Sequence, residues 1–243
     1  IVPENVAGSQ FSFNFTKRVV PKGGNPMNVT AVIPAYNEEQ TIADVVKRVK
    51  NIDKIQKVIV VSDGSTDNTA EIARQCGADV IELNENVGKG GAIKAGINEC
   101  GTEIILFLDA DLIGLTEKHI LDLIEPVIEN KADMTIGIFK NGRMVTDLAQ
   151  KVTPYLSGQR AIRKSIIDRI PNIDITRYGV EVALTKYVDK NNIRVQEVDL
   201  PDMTHVTKEE KLGIIRGVQA RLKMYWDIVK ILSSYNKKSG SSK

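Results

Sequence analysis

The stretch "IILFLDADL" at residues 104–112 places two aspartates, Asp109 and Asp111, directly after five strongly apolar residues. A continuous apolar run of this length is typical of a strand that is buried on both faces of a parallel sheet. Two carboxylates close together repel each other unless a positive charge lies between them. Hard oxygen ligands of this kind suit Mg²⁺ or Mn²⁺, so the pattern predicts a strand end that holds a divalent cation.

Apolar strand-like runs alternate with helical patterns on the amino-terminal side of this stretch. The helical patterns include one with Ile42, Val45, Val46 and Val49 on a single face, and one that ends at Gly77. Thr116 is predicted to cap a further helix that runs to about Asn130. The strand-like runs are "NVTAVIPA" (28–35), "KVIVVSD" (57–63), "ADVIELN" (78–84) and "TEIILFLDA" (102–110). This order predicts an α/β, doubly wound, mostly parallel sheet with helices on both faces, followed by a less regular second half.

A polar cluster follows each of the four predicted strands. Parallel strands bring their carboxyl ends to one edge of the sheet, where ligands of such folds bind. The spacing around Lys89 does not match a phosphate-binding P-loop, and "GKGGAI" lacks the third glycine of a dinucleotide fingerprint. The clusters are "PAYNEE" (34–39), "SDGSTD" (62–67), "NENVGKG" (84–90) and "DADL" (109–112). We therefore expect one composite site with a metal ion.

The overall composition excludes several other classes of protein. The chain has 243 residues, and its 33 basic and 31 acidic residues leave a formal net charge of only +2, which argues against an electrostatic nucleic-acid binder. Two cysteines, Cys76 and Cys100, imply no disulfide framework and favour a reducing compartment. No apolar run reaches the roughly 18–20 residues that span a bilayer. We expect a cytoplasmic protein, with peripheral contact to the inner face of the membrane as an alternative.

The chain is predicted to contain one large domain, residues 27–235. Residues 27–115 form its first half, and residues 116–235 form the less regular half with a C-terminal helix. Residues 1–26 end in a Gly-Gly-Asn-Pro breaker and are expected to be an N-terminal extension or an expression-derived remnant. Residues 236–243 have the composition of a disordered tail.

Four motifs in the first half resemble one known family. They are "IPAYNEEQTI" (33–42), "VVSDGSTDNTAEIA" (60–73), "NVGKGGAIKAG" (86–96) and "LFLDADL" (106–112). Together they are similar to the nucleotide-sugar domain of family-2-type glycosyltransferases with the GT-A fold. The resemblance implies a nucleotide-sugar-dependent hexosyltransferase whose donor-binding residues are Pro34, Ala35, Tyr36, Glu38, Asp63, Lys89, Asp109 and Ala110.

The resemblance also implies a role for several of these residues. Glu38 would accept a hydrogen bond from the ribose, Asp63 would contact the base edge or the ribose, and Lys89 would reach the diphosphate or the base. Asp111 would be the main ligand of the Mg²⁺ or Mn²⁺ ion and act in catalysis, whereas Asp109 would contribute to the metal site or face the ribose. Ser65 and Asp67 are interpreted as helix-capping residues.

The second half is similar to the branch that contains the glucosyl-3-phosphoglycerate synthases. The similarity lies in "NGRMVTDL" (141–148), "LSGQRAI" (156–162), "RYGVEVALTKYV" (177–188) and "MTHV" (203–206). It implies that Glu181 is an active-site carboxylate and that His205 binds the metal together with Asp111. Arg143 and Thr146 would bind the acceptor, with Arg160 and Arg163 as further candidates for an anionic group. UDP-glucose as donor and a small phosphoglycerate-like acceptor are what this resemblance favours.

Three alternatives are compatible with parts of this pattern. A polyprenyl-phosphate sugar transferase shares the first half, and the amphipathic segment 209–234 would then approach a membrane. Otherwise this segment is expected to pack on the domain or on a partner, such as a second copy in a homodimer. A sugar-nucleotide-binding module without turnover is disfavoured by Asp109, Asp111 and Glu181. A nucleotidyltransferase would need an early glycine-rich loop with Arg and Lys, which "PAYNEEQT" is not. His119 is interpreted as a surface or packing residue.

Overall fold

The computed structural model describes residues 28–139, 157–170, 184, 187, 188 and 190–205, and for His205 its backbone. Its strands are β1 (Val29–Ala35), β2 (Ile55–Asp63), β3 (Asp79–Leu83), β4 (Ile104–Phe107), β5 (Leu112–Ile113), β6 (Met134–Phe139), β7 (Arg160–Arg163), β8 (Val195–Leu200) and β9 (Thr204–His205). Its helices are α1 (Ile42–Lys50), α2 (Thr69–Gln75), α3 (Lys89–Asn98), α4 (Glu117–Ile128) and α5 (Lys164–Ile167). The predicted segments 1–26, 209–234 and 236–243 lie outside these described residues.

Seven strands form one sheet in the order β3-β2-β1-β4-β7-β6-β8. Strands β3, β2, β1 and β4 are parallel, so the α/β prediction with a mostly parallel sheet is confirmed. The chain builds outward from β1 to β3 and then crosses to the other side of β1 to place β4. The gap between the ends of β1 and β4 is therefore the topological switch point, where α/β sheets bind ligands.

Strand β7 breaks the parallel pattern. It runs antiparallel to β4 on one side and to β6 on the other, with Phe107 paired to Arg160 and Ile104 paired to Arg163. Strand β8 then pairs parallel to β6. Because β7 enters the sheet from the opposite end, the residues just before it lie at the carboxyl end of β4. The sequence pattern did not identify β7 as a strand.

Apolar clusters cover both faces of this sheet, as expected for a doubly wound fold. One cluster packs α1 and α4 against β1, β2 and β4, and the other packs α3 against the opposite face. Val29, Ile33 and Ile104 in the first cluster are fully buried, as is Val32 in the second. A sheet buried on both faces is a rigid base for the loops at its edge.

Helix α4 starts as the sequence predicts. Thr116 is its N-cap and accepts a hydrogen bond from the amide of His119, whose own Nδ1 accepts one from the amide of Thr116. Burial lowers the pKa of His119. The side chain is 5% exposed, so His119 is a buried capping residue, in agreement with the packing interpretation. Among the described residues, no helix combines the length and apolar character needed to cross a membrane.

Candidate functional site

The loops that follow β1 and β2 are fastened to each other by hydrogen bonds. The side chain of Asn37 accepts one from the amide of Thr66 at 2.8 Å, and the amide of Asn37 donates to Ser65 Oγ at 3.2 Å. Glu39 repeats this exchange, since its amide donates to Asp67 and its carboxylate accepts from Asn68. Two loops that hold each other in this way form one preordered wall of the site at the carboxyl edge of the sheet.

Asp67 stabilises both this wall and the start of α2. Its carboxylate accepts hydrogen bonds from the amides of Glu39 and Thr69 and from the Thr69 hydroxyl. Burial alone would raise the pKa of Asp67, but these hydrogen bonds outweigh it and hold the pKa below its usual value. Asp67 therefore caps α2 in part, as expected, whereas the Ser65 hydroxyl bonds to the neighbouring loop at Asn37.

Asp63, at the end of β2, holds the loop that precedes α3. Its side chain is 3% exposed, and its two oxygens accept hydrogen bonds from the amides of Val87 at 2.8 Å and Gly88 at 2.9 Å. Gly64 follows with φ of +68°, and a Cβ there would lie 2.7 Å from the amide nitrogen of Asn86. This tight packing fixes the loop, and with it Lys89, the first residue of α3. Asp63 thus positions the loop that carries Lys89, a role that the sequence did not predict.

Replacing Asp63 by asparagine is expected to destabilise the chain by about 1–3 kcal/mol, because the amide nitrogen of the new side chain leaves one partly buried backbone N–H without an acceptor. Urea unfolding monitored by circular dichroism measures this difference. The control is Asp79→Asn at the opposite end of the sheet, where the carboxylate is 66% exposed and lies 3.4 Å from Lys57. An exposed pair of this kind contributes little. Equal unfolding midpoints for the two variants would contradict the assigned role of Asp63.

An ion pair lies at the centre of the site. Lys89 Nζ is 2.7 Å from Asp109 Oδ1, and the two side chains are 29% and 19% exposed. Gln159 Nε2 donates a hydrogen bond to the other oxygen, Asp109 Oδ2, at 3.0 Å. Gly158 lies against the same pair, since a Cβ on it would be 2.6 Å from both oxygens of Asp109 and 2.7 Å from Lys89 Nζ. The sequence pattern predicted Lys89 and Asp109 for this site but missed Gly158 and Gln159.

Asp111, the second aspartate of the "DADL" motif, directly precedes a separate two-stranded sheet. Strand β5 begins directly after Asp111 and pairs antiparallel with β9, with Leu112 opposite His205. The backbone of His205 therefore lies next to the residue that follows Asp111. The backbones of Asp111 and His205 are thus near each other, and carboxylate and imidazole groups both bind divalent cations. Within the described part of the chain, no cluster of three His, Cys, Asp or Glu side chains capable of holding a metal is formed.

The other predicted donor-binding residues lie around the same edge. Pro34 and Ala35 end β1, and Ala110 is buried between the two aspartates. Tyr36 is 48% exposed, so its ring is open to a ligand. The amide of Glu38 donates to Thr69 Oγ1 at 2.8 Å, which ties the Glu38 backbone to α2. These residues form a continuous edge from the end of β1 to the end of β4.

Two arginines that were candidates for anion binding make hydrogen bonds or ion pairs within the protein. Arg160 is 1% exposed, and its Nε donates to the carbonyl of Ser157 at 2.7 Å. Arg163 lies at the opposite end of β7, where it bonds to the carbonyl of Val127 and pairs with Asp133. Arg160 stays a predicted acceptor ligand, whereas Arg163 lies away from this edge of the sheet. Arg143, Thr146 and Glu181 lie outside the described residues.

Comparison with known proteins gives a family match over most of the described region. The model of the family "Glycosyl transferase family 2" matches residues 30–188. Undecaprenyl-phosphate 4-deoxy-4-formamido-L-arabinose transferase from Pseudomonas fluorescens (strain SBW25) is 30% identical over 164 residues, which cover 58% of this chain and 48% of that protein. The protein of the same description from Edwardsiella ictaluri (strain 93-146) is 31% identical over 155 residues, covering 58% and 46%. The chain thus spans about half the length of these curated relatives.

Solved structures show the same fold. Glucosyl-3-phosphoglycerate synthase from Mycobacterium tuberculosis, in complex with Mn²⁺, UDP and glucosyl-3-phosphoglycerate, superposes with a TM-score of 0.64 at 26% identity, covering 74% of this chain and 72% of that one. The same synthase with Mg²⁺ and UDP has a TM-score of 0.64 at 24% identity, covering 80% and 79%. The comparison with the Mg²⁺ complex supports the fold alone. The comparison with the Mn²⁺ complex adds sequence similarity over about three quarters of the chain.

Proposed function

The chain belongs to glycosyl transferase family 2, and from that premise we propose that it transfers a sugar from a nucleotide-sugar donor to an acceptor that carries a phosphate or carboxylate. The observation that carries the proposal is the meeting of three features at one sheet edge. These are the Lys89–Asp109 pair, the loop held by Asp63, and Asp111 next to the β5–β9 ladder. The residues of these features follow three different strands, β2, β3 and β4, so only the folded sheet assembles them.

Lys89 is the residue that we assign to the donor diphosphate. It is the first residue of α3, where backbone amides and the helix dipole also favour an anion. Its ammonium is 29% exposed beside Asp109, so a diphosphate that reaches it gains a charge-assisted hydrogen bond. Asp109 restrains the flexible lysine before the donor arrives, which reduces the entropy lost on binding.

The base and ribose are assigned to the wall between β1 and β2. The half-exposed ring of Tyr36 offers a surface for the base. The carboxylate of Glu38 is assigned to a ribose hydroxyl, with Pro34 and Ala35 bordering the same pocket. Asp63 is assigned to the base edge or ribose through the lone pairs that Val87 and Gly88 leave open, in addition to holding their loop.

A divalent cation would be held by Asp111 and His205, with Asp109 as a neighbouring carboxylate. When bound, Mg²⁺ or Mn²⁺ neutralises the negative charge that develops on the diphosphate leaving group. Support comes from the register that places the His205 backbone beside Leu112 and from the Mn²⁺ and Mg²⁺ complexes of the structurally similar synthase. Lys89 would act on the same charge by donating to the diphosphate.

UDP-glucose is the proposed donor and a small phosphoglycerate-like compound the proposed acceptor, because the structurally similar synthase was solved with UDP and glucosyl-3-phosphoglycerate. Glu181 is proposed near the reacting sugar, and Arg143 and Thr146 are proposed to hold the anionic acceptor. A polyprenyl phosphate is the second candidate acceptor, because the curated relatives at 30–31% identity are named as undecaprenyl-phosphate transferases. Both acceptors present a phosphate.

A thermal-shift screen tests the donor. UDP, GDP and their glucose conjugates are added with and without Mn²⁺, and a nucleotide that binds the native state raises the melting temperature. We expect the largest shift for UDP-glucose with Mn²⁺. Incubating the best donor with 3-phosphoglycerate or with a polyprenyl phosphate then separates the two acceptors by product mass. If no nucleotide raised the melting temperature, the proposed function would be wrong.

Replacing His205 by alanine is expected to weaken Mn²⁺ binding by about tenfold to a hundredfold, because one ligand of the cation is lost. Isothermal titration with Mn²⁺ in the presence of UDP measures the change. His119→Ala is the matched control, since His119 is occupied in capping α4 and should leave the affinity unchanged. An unchanged Mn²⁺ affinity in His205→Ala would remove His205 from the site.

A further inference from the structure

The side chain of Gln159 is the one buried amide that the structure places against the central ion pair among the residues it describes. It is 0% exposed, and Nε2 donates to Asp109 Oδ2 at 3.0 Å. Lys89 occupies the other oxygen, Oδ1, at 2.7 Å. The two donors thus approach the carboxylate from different sides and define its rotation. A carboxylate held at both oxygens keeps one orientation, whereas one held at a single oxygen can turn about its last bond.

The orientation of the Gln159 amide is dictated by its neighbours. Nε2 faces a carboxylate that can only accept, whereas Oε1 lies 3.2 Å from Ser157 Oγ, whose single proton is shared with the closer carbonyl of Gly137. Turning the amide over would place its oxygen against Asp109, which is repulsive. The surroundings of Gln159 therefore specify a donor at this position.

The backbone of the same segment is fixed to the neighbouring strand. The carbonyl of Gln159 accepts a hydrogen bond from the amide of Gly137 in β6 at 2.9 Å. The Ser157 hydroxyl lies 2.6 Å from the carbonyl of Gly137, and the Arg160 side chain donates to the carbonyl of Ser157. Gln159 thus stands on a rigid base, and its amide has little freedom to leave Asp109.

We propose that Gln159 is a positioning residue, which fixes the rotation of Asp109 and, through it, the place of the Lys89 ammonium at the nucleotide-sugar site. This inference rests on the proposed function, in which Lys89 binds the donor diphosphate. Gln159 itself does not touch the donor. It acts through Asp109, and the chemistry requires an uncharged hydrogen-bond donor of its length.

The test compares Gln159→Met and Gln159→Glu with the wild-type chain. The methionine side chain keeps the volume and removes the donor, so the affinity for UDP with Mn²⁺ is expected to fall about tenfold at every pH, in line with losing one hydrogen bond to a charged group. The glutamate side chain keeps the length and places a carboxyl beside Asp109. Calorimetric titration of UDP between pH 5.5 and 8.5 gives the ratio of variant to wild-type affinity.

This ratio is expected to depend on pH for Gln159→Glu alone. The groups that face the introduced carboxyl in the described contacts are Asp109 from the end of β4, with Lys89 of α3 paired to it, and Ser157 Oγ. Burial and the charge of Asp109 favour its protonated form, and Lys89 is already paired with Asp109. Protonated, it donates to Asp109 as the amide does, so the affinity relative to wild type should rise at least threefold as the pH falls. A constant ratio for Gln159→Glu would overturn the proposal, as would wild-type affinity in Gln159→Met, which changes no charge.

Exchanging the two groups separates this inference from the proposed function. In the double variant Asp109→Asn, Gln159→Glu, an amide and a carboxylate face each other again with their roles reversed. Its urea midpoint is expected to exceed that of Gln159→Glu, whether or not nucleotide binds. An equal or lower midpoint would overturn the contact. If the wild-type chain bound no UDP, both the proposed function and the positioning role would be wrong. A urea midpoint restored in the double variant would then mean that Gln159 contributes to stability alone.

Discussion

Asp111→Asn is expected to lower the rate of metal-dependent sugar transfer on the order of 10²–10³-fold, which corresponds to about 3–4 kcal/mol of lost transition-state stabilisation. Asp111 is the proposed carboxylate ligand of the cation, and an amide oxygen carries no charge with which to retain it. Asp111 is partly exposed and lies after the buried strand β4, so its substitution does not change the packing of the core. The fold is therefore expected to remain intact.

The rate is measured as release of UDP from UDP-glucose over a Mn²⁺ titration, together with circular dichroism of each variant. Asp168→Asn is the control, because Asp168 follows α5 at the opposite end of the sheet and pairs with Lys164 at 2.7 Å on the surface. We expect this control to keep wild-type activity. If Asp111→Asn kept its Mn²⁺-dependent rate, Asp111 would not be the metal residue.

Gly158→Ala is expected to lower UDP affinity by tenfold or more and to destabilise the chain by about 1–3 kcal/mol, as added atoms do in tightly packed sites. The new methyl group would lie 2.6 Å from both oxygens of Asp109 and 2.7 Å from Lys89 Nζ, distances that no pair of such atoms tolerates. Either the ion pair separates or the segment before β7 moves, and both outcomes displace Lys89 from the donor diphosphate. The effect is steric, since it depends on the close approach of the backbone to two charged side chains.

Gly101→Ala supplies the matched control for this substitution. A Cβ at Gly101 would meet no atom within 4 Å, so the same chemical change is expected to leave affinity and stability close to wild type. Calorimetric titration of UDP and urea unfolding measure both quantities for both variants. Wild-type UDP affinity in Gly158→Ala would mean that the approach of Gly158 to the Lys89–Asp109 pair does not matter for binding.

The sequence predicts the first half of the fold well because its elements are local. Each of the first four strands is an apolar run, and a helix lies between it and the next strand of the main sheet, with a recognisable start at Thr116 and a recognisable end at Gly77. Parallel strands necessarily bring their polar ends to one edge. The convergence of Asp63, Lys89 and Asp109 could therefore be predicted without knowing a single distance.

The second half could not be predicted in the same way because its contacts depend on register between distant segments. Strand β7 is only four residues long and contains an arginine at each end, so no periodic pattern marks it. Its antiparallel pairing with β4 turns Gly158 and Gln159 toward Asp109 and buries Arg160, which by charge alone was a candidate ligand. The motif "LSGQRAI" carries a family resemblance, but the contact of the Gln159 amide with Asp109 depends on the register of β7 with β4.

Strand β7 is synthesised well after β4, its neighbour in the sheet, so the edge of β4 is unpaired for part of translation. The four parallel strands can pair as soon as residue 107 has emerged, but one edge of β4, made of fully apolar residues, stays open until β7 follows roughly fifty residues later. At translation rates of about 5–20 residues per second, this unpaired edge persists for several seconds. Open apolar edges recruit other strands. The nascent chain is accordingly more exposed to aggregation in this interval than after β7 has paired with β4.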